Sequence, residues 1–179
     1  MLFRSEIALI PQEAYVFAGT VRENLTALRS DATTTELEHA AAEVGSAELI
    51  ERLGGLDAEI PAGAGSLSAG QRQLIALTRV FASPAGVIVL DEATCHLDPE
   101  AEAHAEAAFQ RRGGTLVVLA HRMSSALRAE RILVLDGESA VLGTHAELLR
   151  SSPLYADLVG YWQAWETSPA QPLVGDDAR

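Results

Sequence analysis

Two adjacent acids follow a short apolar run near the middle of the chain. The run Val87–Leu90 has the pattern of a strand covered on both faces of a parallel sheet, and Asp91 and Glu92 come directly after it. Ligands of open α/β folds bind at the carboxyl ends of such strands. Asp91 can hold Mg²⁺ there, partly through water, and Glu92 can act as a base towards an attacking water. The alternative is a strand followed by an ordinary acidic loop.

A second candidate is the sequence LSAGQRQ, residues 67–73, which ends 18 positions before Asp91. Ser68 and the small residues after it precede a run with helical spacing. A hydroxyl, backbone N–H groups and the positive end of a helix dipole would meet there, and together they suit a phosphate. The alternative is a serine cap with a glycine turn.

These motifs resemble those of the ATP-binding cassette (ABC) family. LSAGQRQ is similar to the ABC signature, and VIVLDEAT with CHLD is similar to the Walker B strand and D-loop. The resemblance implies that Asp91 binds Mg²⁺ and that Glu92 is catalytic. It also implies that four signature residues bind ATP held by another subunit, namely Ser68, Ala69, Gly70 and Gln71. Ala69 replaces the commoner glycine, and Leu74 replaces a residue that is often basic.

Three further motifs occur in the order that the ABC family requires. Gln12 follows the first strand, like the Q-loop glutamine that senses the metal and attacking water, and VFAGTVRENL, residues 16–25, resembles the exporter-type continuation. Asp98 resembles the D-loop aspartate at the dimer interface, although it can equally cap the helix that begins at Pro99. His121 matches the switch histidine that reaches the γ-phosphate, whereas a lone histidine at a strand end is usually structural or solvated.

Strands and helices alternate around these motifs, which predicts an α/β fold. The resemblance implies a partial P-loop NTPase-like core with a mainly parallel sheet and a small α-helical subdomain. Further predicted strands are Ile7–Ile10, Leu116–Leu119 and Ile132–Leu135, and Ala140–Leu142 is expected to pair with the last of these through Asp136-Gly137. We expect a partial nucleotide-binding domain over residues 1–166, its helical part at about 20–82, and a disordered tail at 167–179.

Apolar residues at helical spacing predict the faces that the helices bury. The predicted stripes are Leu37, Ala40, Ala41 and Val44; Leu74, Leu77, Thr78 and Phe81; Ala101, Ala105, Ala108 and Phe109; and Leu154, Leu158, Tyr161, Trp162 and Trp165. A capping box from Thr35 to Glu38 is expected to open the first of these helices, and Gly45 to close it. The last helix is expected to begin at Ser152-Pro153.

The sequence contains no lysine, and all 13 of its basic residues are arginines. It therefore contains no GxxxxGK[ST] phosphate-binding loop, and only eleven residues precede Gln12, where the resemblance would place that loop. We expect the isolated chain to be catalytically inactive and its sheet to expose an apolar edge. Either another subunit supplies the phosphate-binding loop or the gene product is truncated.

The leading hypothesis is an ATP-binding component of an ABC-type exporter that uses ATP and Mg²⁺. The resemblance implies a transmembrane-domain partner near residues 14–24, a second nucleotide-binding domain arranged head to tail, and a position at the cytoplasmic face of the membrane. The alternatives are a non-catalytic interaction or regulatory subunit and a soluble ABC ATPase of DNA repair. The net charge of −12 argues against a nucleic-acid partner.

Overall fold

The structure is a computed structural model that describes residues 6–62, 65–120, 122–137 and 139–167, with the backbone alone for 165–167. The strands are β1 (Ile7–Ile10), β2 (Gly19–Thr20), β3 (Glu59–Ile60), β4 (Val87–Asp91), β5 (Thr115–Leu119), β6 (Ile132–Asp136) and β7 (Ser139–Gly143). The helices are α1 (Val21–Thr26), α2 (Thr34–Val44), α3 (Ala47–Leu53), α4 (Ala69–Phe81), α5 (Pro99–Arg112), α6 (Met123–Arg128), α7 (His145–Ser151) and α8 (Pro153–Thr167). The chain divides into two compact units after residue 121.

The first unit contains a parallel sheet with the strand order β1-β4-β5. Alternate residues of these strands, such as Ile10 and Leu90, are buried against α4 and α5. The residues between them form an apolar face on the other side, where Leu9 is 58% exposed and Leu119 is 47% exposed. The same apolar pattern in Leu116–Leu119 and Ile132–Leu135 predicts strands covered on both faces. Within the described residues this prediction is wrong for both, because Leu119, Leu133 and Leu135 are exposed.

Helix α4 lies between two apolar cores of the first unit. Ala76, Leu77 and Val80 pack with the sheet and α5, whereas Ile75 packs with α1, α2 and α3. The predicted stripe on α4 is thus only part of a helix that is buried on most sides. The predicted stripes on α2 and α5 are confirmed, except that Ala101 is only partly buried.

Two details of the region before α4 differ from the predictions. The region is not all helical, because β2 and β3 form an antiparallel ribbon of two residues each. The capping box of α2 joins Thr33 to Glu36 instead of Thr35 to Glu38, so the helix begins two residues earlier than predicted. The Glu36 carboxylate accepts the Thr33 N–H at 2.7 Å and also binds Arg29 at 2.6 Å, which favours this earlier start. Gly45 ends α2 in the left-handed region, as predicted.

The second unit contains the antiparallel hairpin of β6 and β7, as the turn at Asp136-Gly137 predicted. Its helix α8 buries Tyr155 and Val159, whereas Leu158 is 47% exposed and Tyr161 is 78% exposed. The predicted stripe on α8 is therefore wrong at these two positions. A neighbouring row of the same helical period packs inwards, and Tyr155 contacts His145 Nδ1 of α7 at 2.9 Å.

The predicted domain boundaries remain a prediction, and the proposed disordered tail lies outside the described residues from 168 onwards. Within the part of the chain that is described, no helix has both the length and the apolar character needed to cross a membrane.

Candidate nucleotide site

The carboxyl ends of β1 and β4 bring two of the predicted site segments to one edge of the sheet. Ile10 pairs with Leu90 in parallel register, so Gln12 and Asp91 follow neighbouring strand ends. Asp91 pairs in turn with Leu119 of β5. Gln12 is exposed and Asp91 is partly buried. An amide and a carboxylate thus lie on adjacent strand ends, where an open α/β sheet binds its ligands.

Glu92 has an unusual backbone conformation directly after β4. Its φ is 51°, and it is the only non-glycine residue with a positive φ in the described ranges. Such a conformation costs a side-chain-bearing residue about 1–2 kcal/mol. Strain of this kind clusters at functional sites, where it aims a side chain that a regular strand would point elsewhere. Glu92 is partly buried and has interaction partners within the fold.

The signature residues form the first turn of α4. Ser68 Oγ accepts the Gln71 N–H at 3.2 Å, and Gln71 Oε1 accepts the Ser68 N–H at 2.8 Å, which makes a reciprocal capping box. The cap that sequence reasoning offered as the alternative reading of Ser68 is therefore present. Because the first N–H groups of a helix have no intrahelical acceptors, those of Ala69 and Gly70 remain available for an anion.

Asp98 caps α5, since its carboxylate accepts the N–H groups of Glu100 at 3.0 Å and Ala101 at 2.9 Å. This is the structural role that the sequence predicted beside the dimer-interface role. The loop before it turns twice through backbone hydrogen bonds, from Cys95 N–H to Glu92 O and from Leu97 N–H to Thr94 O. The cap and these turns fix the course of the loop between Glu92 and α5.

One buried side chain of α4 connects the loops that follow β1 and β4. Gln73 is 1% exposed, and its Nε2 donates to Gln12 O and contacts Cys95 Sγ, each at 3.3 Å. Its Oε1 accepts the His96 N–H at 3.0 Å. On the previous turn, a Cβ added to Gly70 would lie 2.8 Å from His96 O, so the helix backbone packs closely against this peptide. Helix α4 therefore contacts both the loop after β1, which contains Gln12 (the Gln12 loop), and the loop between β4 and α5, which ends at Asp98 (the Asp98 loop).

A second buried side chain of α4 holds the segment at residues 15–24. The Arg79 guanidinium donates to Asn24 O at 2.6 Å, to Tyr15 O at 3.0 Å and to Asn24 Oδ1 at 3.1 Å, and it lies 4.5 Å from the Phe17 ring centre. The Asn24 side chain also bonds the Phe17 backbone in both directions. Tyr15 is 69% exposed beside Phe17. The network thus supports a surface that carries two aromatic rings.

Burial lowers the pKa of Arg79 from its ordinary value to about 10, so the side chain remains protonated at neutral pH. Its charge is offset by oxygen acceptors and an aromatic face instead of a carboxylate.

The oxygen ligands at the strand ends fit a magnesium ion whose remaining coordination positions are filled by phosphate oxygens and water. Among the described residues, no three His, Cys, Asp or Glu side chains are grouped as a protein-only metal site would need. Mg²⁺ usually takes one or two carboxylates, with water and substrate phosphates filling its remaining positions. Asp91 supplies one carboxylate at the strand end beside Gln12. His121, the predicted switch histidine, lies outside the described residues.

Comparison with known proteins identifies the family. Residues 1–95 match the family described as ABC transporter. The chain belongs to the ABC transporter family. This membership confirms the resemblance inferred from the signature and Walker B motifs, and with it the α/β fold class.

The relatives and the structural match include exporters. The chain is 60% identical to the ABC transporter ATP-binding protein RamB of Streptomyces coelicolor over 157 residues, which are 87% of this chain and 25% of that protein. It is 42% identical to the ATP-dependent lipid A-core flippase of Chromohalobacter salexigens over 159 residues, 87% of this chain and 28% of that protein. A bacterial Atm1-family ABC exporter solved with ATP bound matches 94% of this chain and 29% of its own, with 31% identity and a TM-score of 0.79. The chain thus spans about a quarter of the length of the curated relatives.

Sequence reasoning missed Gln73 and Arg79 as structural centres of this ABC site. Gln73 is part of the LSAGQRQ motif, and Arg79 lies beside the apolar stripe of α4. An arginine inside an apolar helical run was a usable signal, because charged residues are seldom fully buried unless they are paired. No comparable signal marked Gln73, since its partners lie 22 to 61 residues away.

Proposed function

We propose that this chain is part of the ATP-binding component of an ABC-type exporter, and that it presents its signature residues to ATP held by the phosphate-binding loop of another cassette. The observation that carries the proposal is the packing of α4: its signature turn touches the Asp98 loop, while Gln73 touches the Gln12 loop. Helix α4 thus connects the Gln12, signature and Asp98 segments beside the carboxyl ends of β1 and β4.

In this proposal the γ-phosphate is bound from two sides. Ser68, Ala69, Gly70 and Gln71 supply a helix start with available N–H groups, which suits the terminal phosphate of a nucleotide. The opposite side needs a lysine and a Ser/Thr in a phosphate-binding loop, and the 179 residues contain no lysine. These groups must come from residues outside this sequence, whether on the same polypeptide or another.

The remaining site residues receive the roles that the family motifs imply. Asp91 would hold Mg²⁺, Gln12 and His121 would orient the γ-phosphate beside it, and Glu92 would act as a base towards the attacking water. Asp98 faces the second cassette. When bound, Mg²⁺ would neutralise charge on the phosphate oxygens. The chain itself contributes the orientation of these groups.

The segment at residues 14–24, which exposes Tyr15 and Phe17, is the proposed contact for a transmembrane domain on the cytoplasmic side. Tyr15 and Phe17 present aromatic rings there, and Arg79 with Asn24 supports them from inside. Aromatic residues on a rigid support are typical of interface hot spots. In this proposal the transmembrane partner determines which molecule is transported.

The proposal is tested by complementing a cassette whose signature serine has been disabled but whose phosphate-binding loop is intact. Adding this chain is expected to restore ATP turnover, and adding the Ser68→Arg variant is not, because the bulky side chain blocks the phosphate. Ser66→Arg is the matched control, since Ser66 is exposed and lies outside the capping box. If wild-type chain binds the cassette without restoring turnover, the chain is instead an interaction or regulatory subunit.

A further inference from the structure

Two residues of α4 contact the backbone of His96, in the loop after β4, at its N–H and at its carbonyl. The His96 N–H donates to Gln73 Oε1 at 3.0 Å, and the His96 carbonyl oxygen lies against the backbone of Gly70, where an added Cβ would be 2.8 Å away. The two residues are one helical turn apart, so they face the loop together. Movement of α4 therefore carries the His96 peptide with it.

The same Gln73 side chain reaches the loop after β1. Its Nε2 donates to Gln12 O at 3.3 Å, across 61 residues of sequence. The Gln73 side chain is 1% exposed. Its amide oxygen accepts a hydrogen bond from His96, and its amide nitrogen contacts Gln12 O and Cys95 Sγ. A hydrocarbon side chain of the same length would leave these polar groups without their partner.

We propose that Gln73 is a positioning residue that keeps the Gln12 loop and the Asp98 loop in fixed register with the signature turn. It touches no reacting atom and acts through the two loops that it connects. The functional part of this inference rests on the proposed ATPase role, whereas the structural part does not.

Amide hydrogen exchange in the full chain tests the structural part directly. In Gln73→Met the exchange rate of the His96 amide is expected to rise roughly tenfold, because its acceptor is removed. A positioning role requires the amides of Cys95 and Leu97, which bond only to the loop backbone, to exchange faster as well. If only His96 responds, the glutamine makes a local bond and the proposal is wrong.

Two further variants separate positioning from loss of stability. Asn24→Ala removes a buried amide elsewhere in the first unit and is expected to leave the His96 region unchanged relative to global unfolding. Gly70→Ala displaces the His96 carbonyl from the opposite side and is expected to reproduce the exchange pattern of Gln73→Met. An unchanged pattern in Gly70→Ala would overturn the proposal that α4 fixes the His96 backbone at both its N–H and its carbonyl.

The functional part is tested in the cassette assembly that turns over ATP. Gln73→Met is expected to lower kcat roughly tenfold while the KM for ATP changes by less than about twofold, because no nucleotide contact is removed. A rise in KM at constant kcat would contradict a positioning role. Should the assembly show no turnover with wild-type chain, the proposed function fails, and the exchange measurements still decide the role of Gln73.

Discussion

Replacing Arg79 with methionine tests how the segment at residues 15–24 is held. The substitution keeps most of the apolar stem but removes the donors to Asn24 O, Tyr15 O and Asn24 Oδ1, together with the cation above the Phe17 ring. Two backbone carbonyls then lose their buried partner. Each charged hydrogen bond contributes about 1.5–3 kcal/mol when broken in this way.

An opposing contribution comes from desolvation. Burial lowers the pKa of Arg79 well below its ordinary value, to about 10. At about 1.4 kcal/mol per pKa unit, this corresponds to a cost of roughly 3 kcal/mol that methionine does not incur. The folded pKa is the lower one, so this cost is present at neutral pH and is relieved only above about pH 10. Three such bonds contribute about 4.5–9 kcal/mol, so the net loss of unfolding free energy at neutral pH is expected to be roughly 2–6 kcal/mol.

Urea denaturation followed by far-UV circular dichroism measures this loss. With a slope of about 2 kcal/mol per molar urea, the midpoint is expected to fall by about 1–3 M. The matched control is Arg52→Met on α3, where the arginine is exposed and pairs only with Glu48, and its effect should stay below about 0.5 kcal/mol. Equal midpoints for Arg79→Met and wild type would refute the view that this network stabilises the segment.

Three further predictions concern other parts of the chain. Arg112→Met should lower the free energy of unfolding, measured by thermal denaturation, by about 1–3 kcal/mol, because Arg112 donates to the carbonyls of Phe81, Ser83 and Ala85. The control Arg111→Met removes only an exposed ion pair with Glu43 and should cost less than about 1 kcal/mol. Equal losses for the two variants would contradict this prediction. The N–H and hydroxyl of Thr33, followed by Arg29, lower the pKa of Glu36 from 4.5 to about 2, so its stabilising effect is complete above the unfolded value and is lost as the pH falls towards 2. Urea midpoints of wild type and Glu36→Gln should converge over that range, and a constant difference would be evidence against the assignment. Leu9 and Val117 are exposed on the apolar face of the sheet. The double variant Leu9→Thr, Val117→Thr should reduce self-association measured by sedimentation velocity and change the free energy of unfolding by less than about 0.5 kcal/mol. Unchanged self-association would show that this face does not cause it.

The parallel strands and the main helical faces could be predicted because they depend on local apolar patterns. Residues 87–90 are a continuous apolar run, and the spacing of Leu37, Ala40, Ala41 and Val44 matches one helix face. The buried face of a helix could not be predicted where two apolar rows occur on the same helix. On α8, the row through Leu158 and Tyr161 and the row through Tyr155 and Val159 have the same period. Packing against α7 and the hairpin of β6 and β7 selects the second row.

The chemical groups of the site were visible in the motifs, but the connections among them were not. Gln73 binds partners on two distant loops, and Arg79 binds Tyr15 and Asn24 from 55 or more residues away. Such contacts leave no periodic signal, because they are set by how α4 crosses the sheet. The left-handed backbone conformation of Glu92 could not be predicted either, because no residue type next to it indicates a positive φ.

The central claim is that these residues bind a nucleotide's terminal phosphate from one side only. Equilibrium binding of labelled ATP, measured with this chain alone and then with a cassette that carries GxxxxGK[ST], tests it most directly. We expect no saturable binding by the chain alone, and with the cassette we expect tighter binding that Ser68→Arg abolishes. Saturable, magnesium-dependent binding of ATP to the 179-residue chain alone would contradict the account.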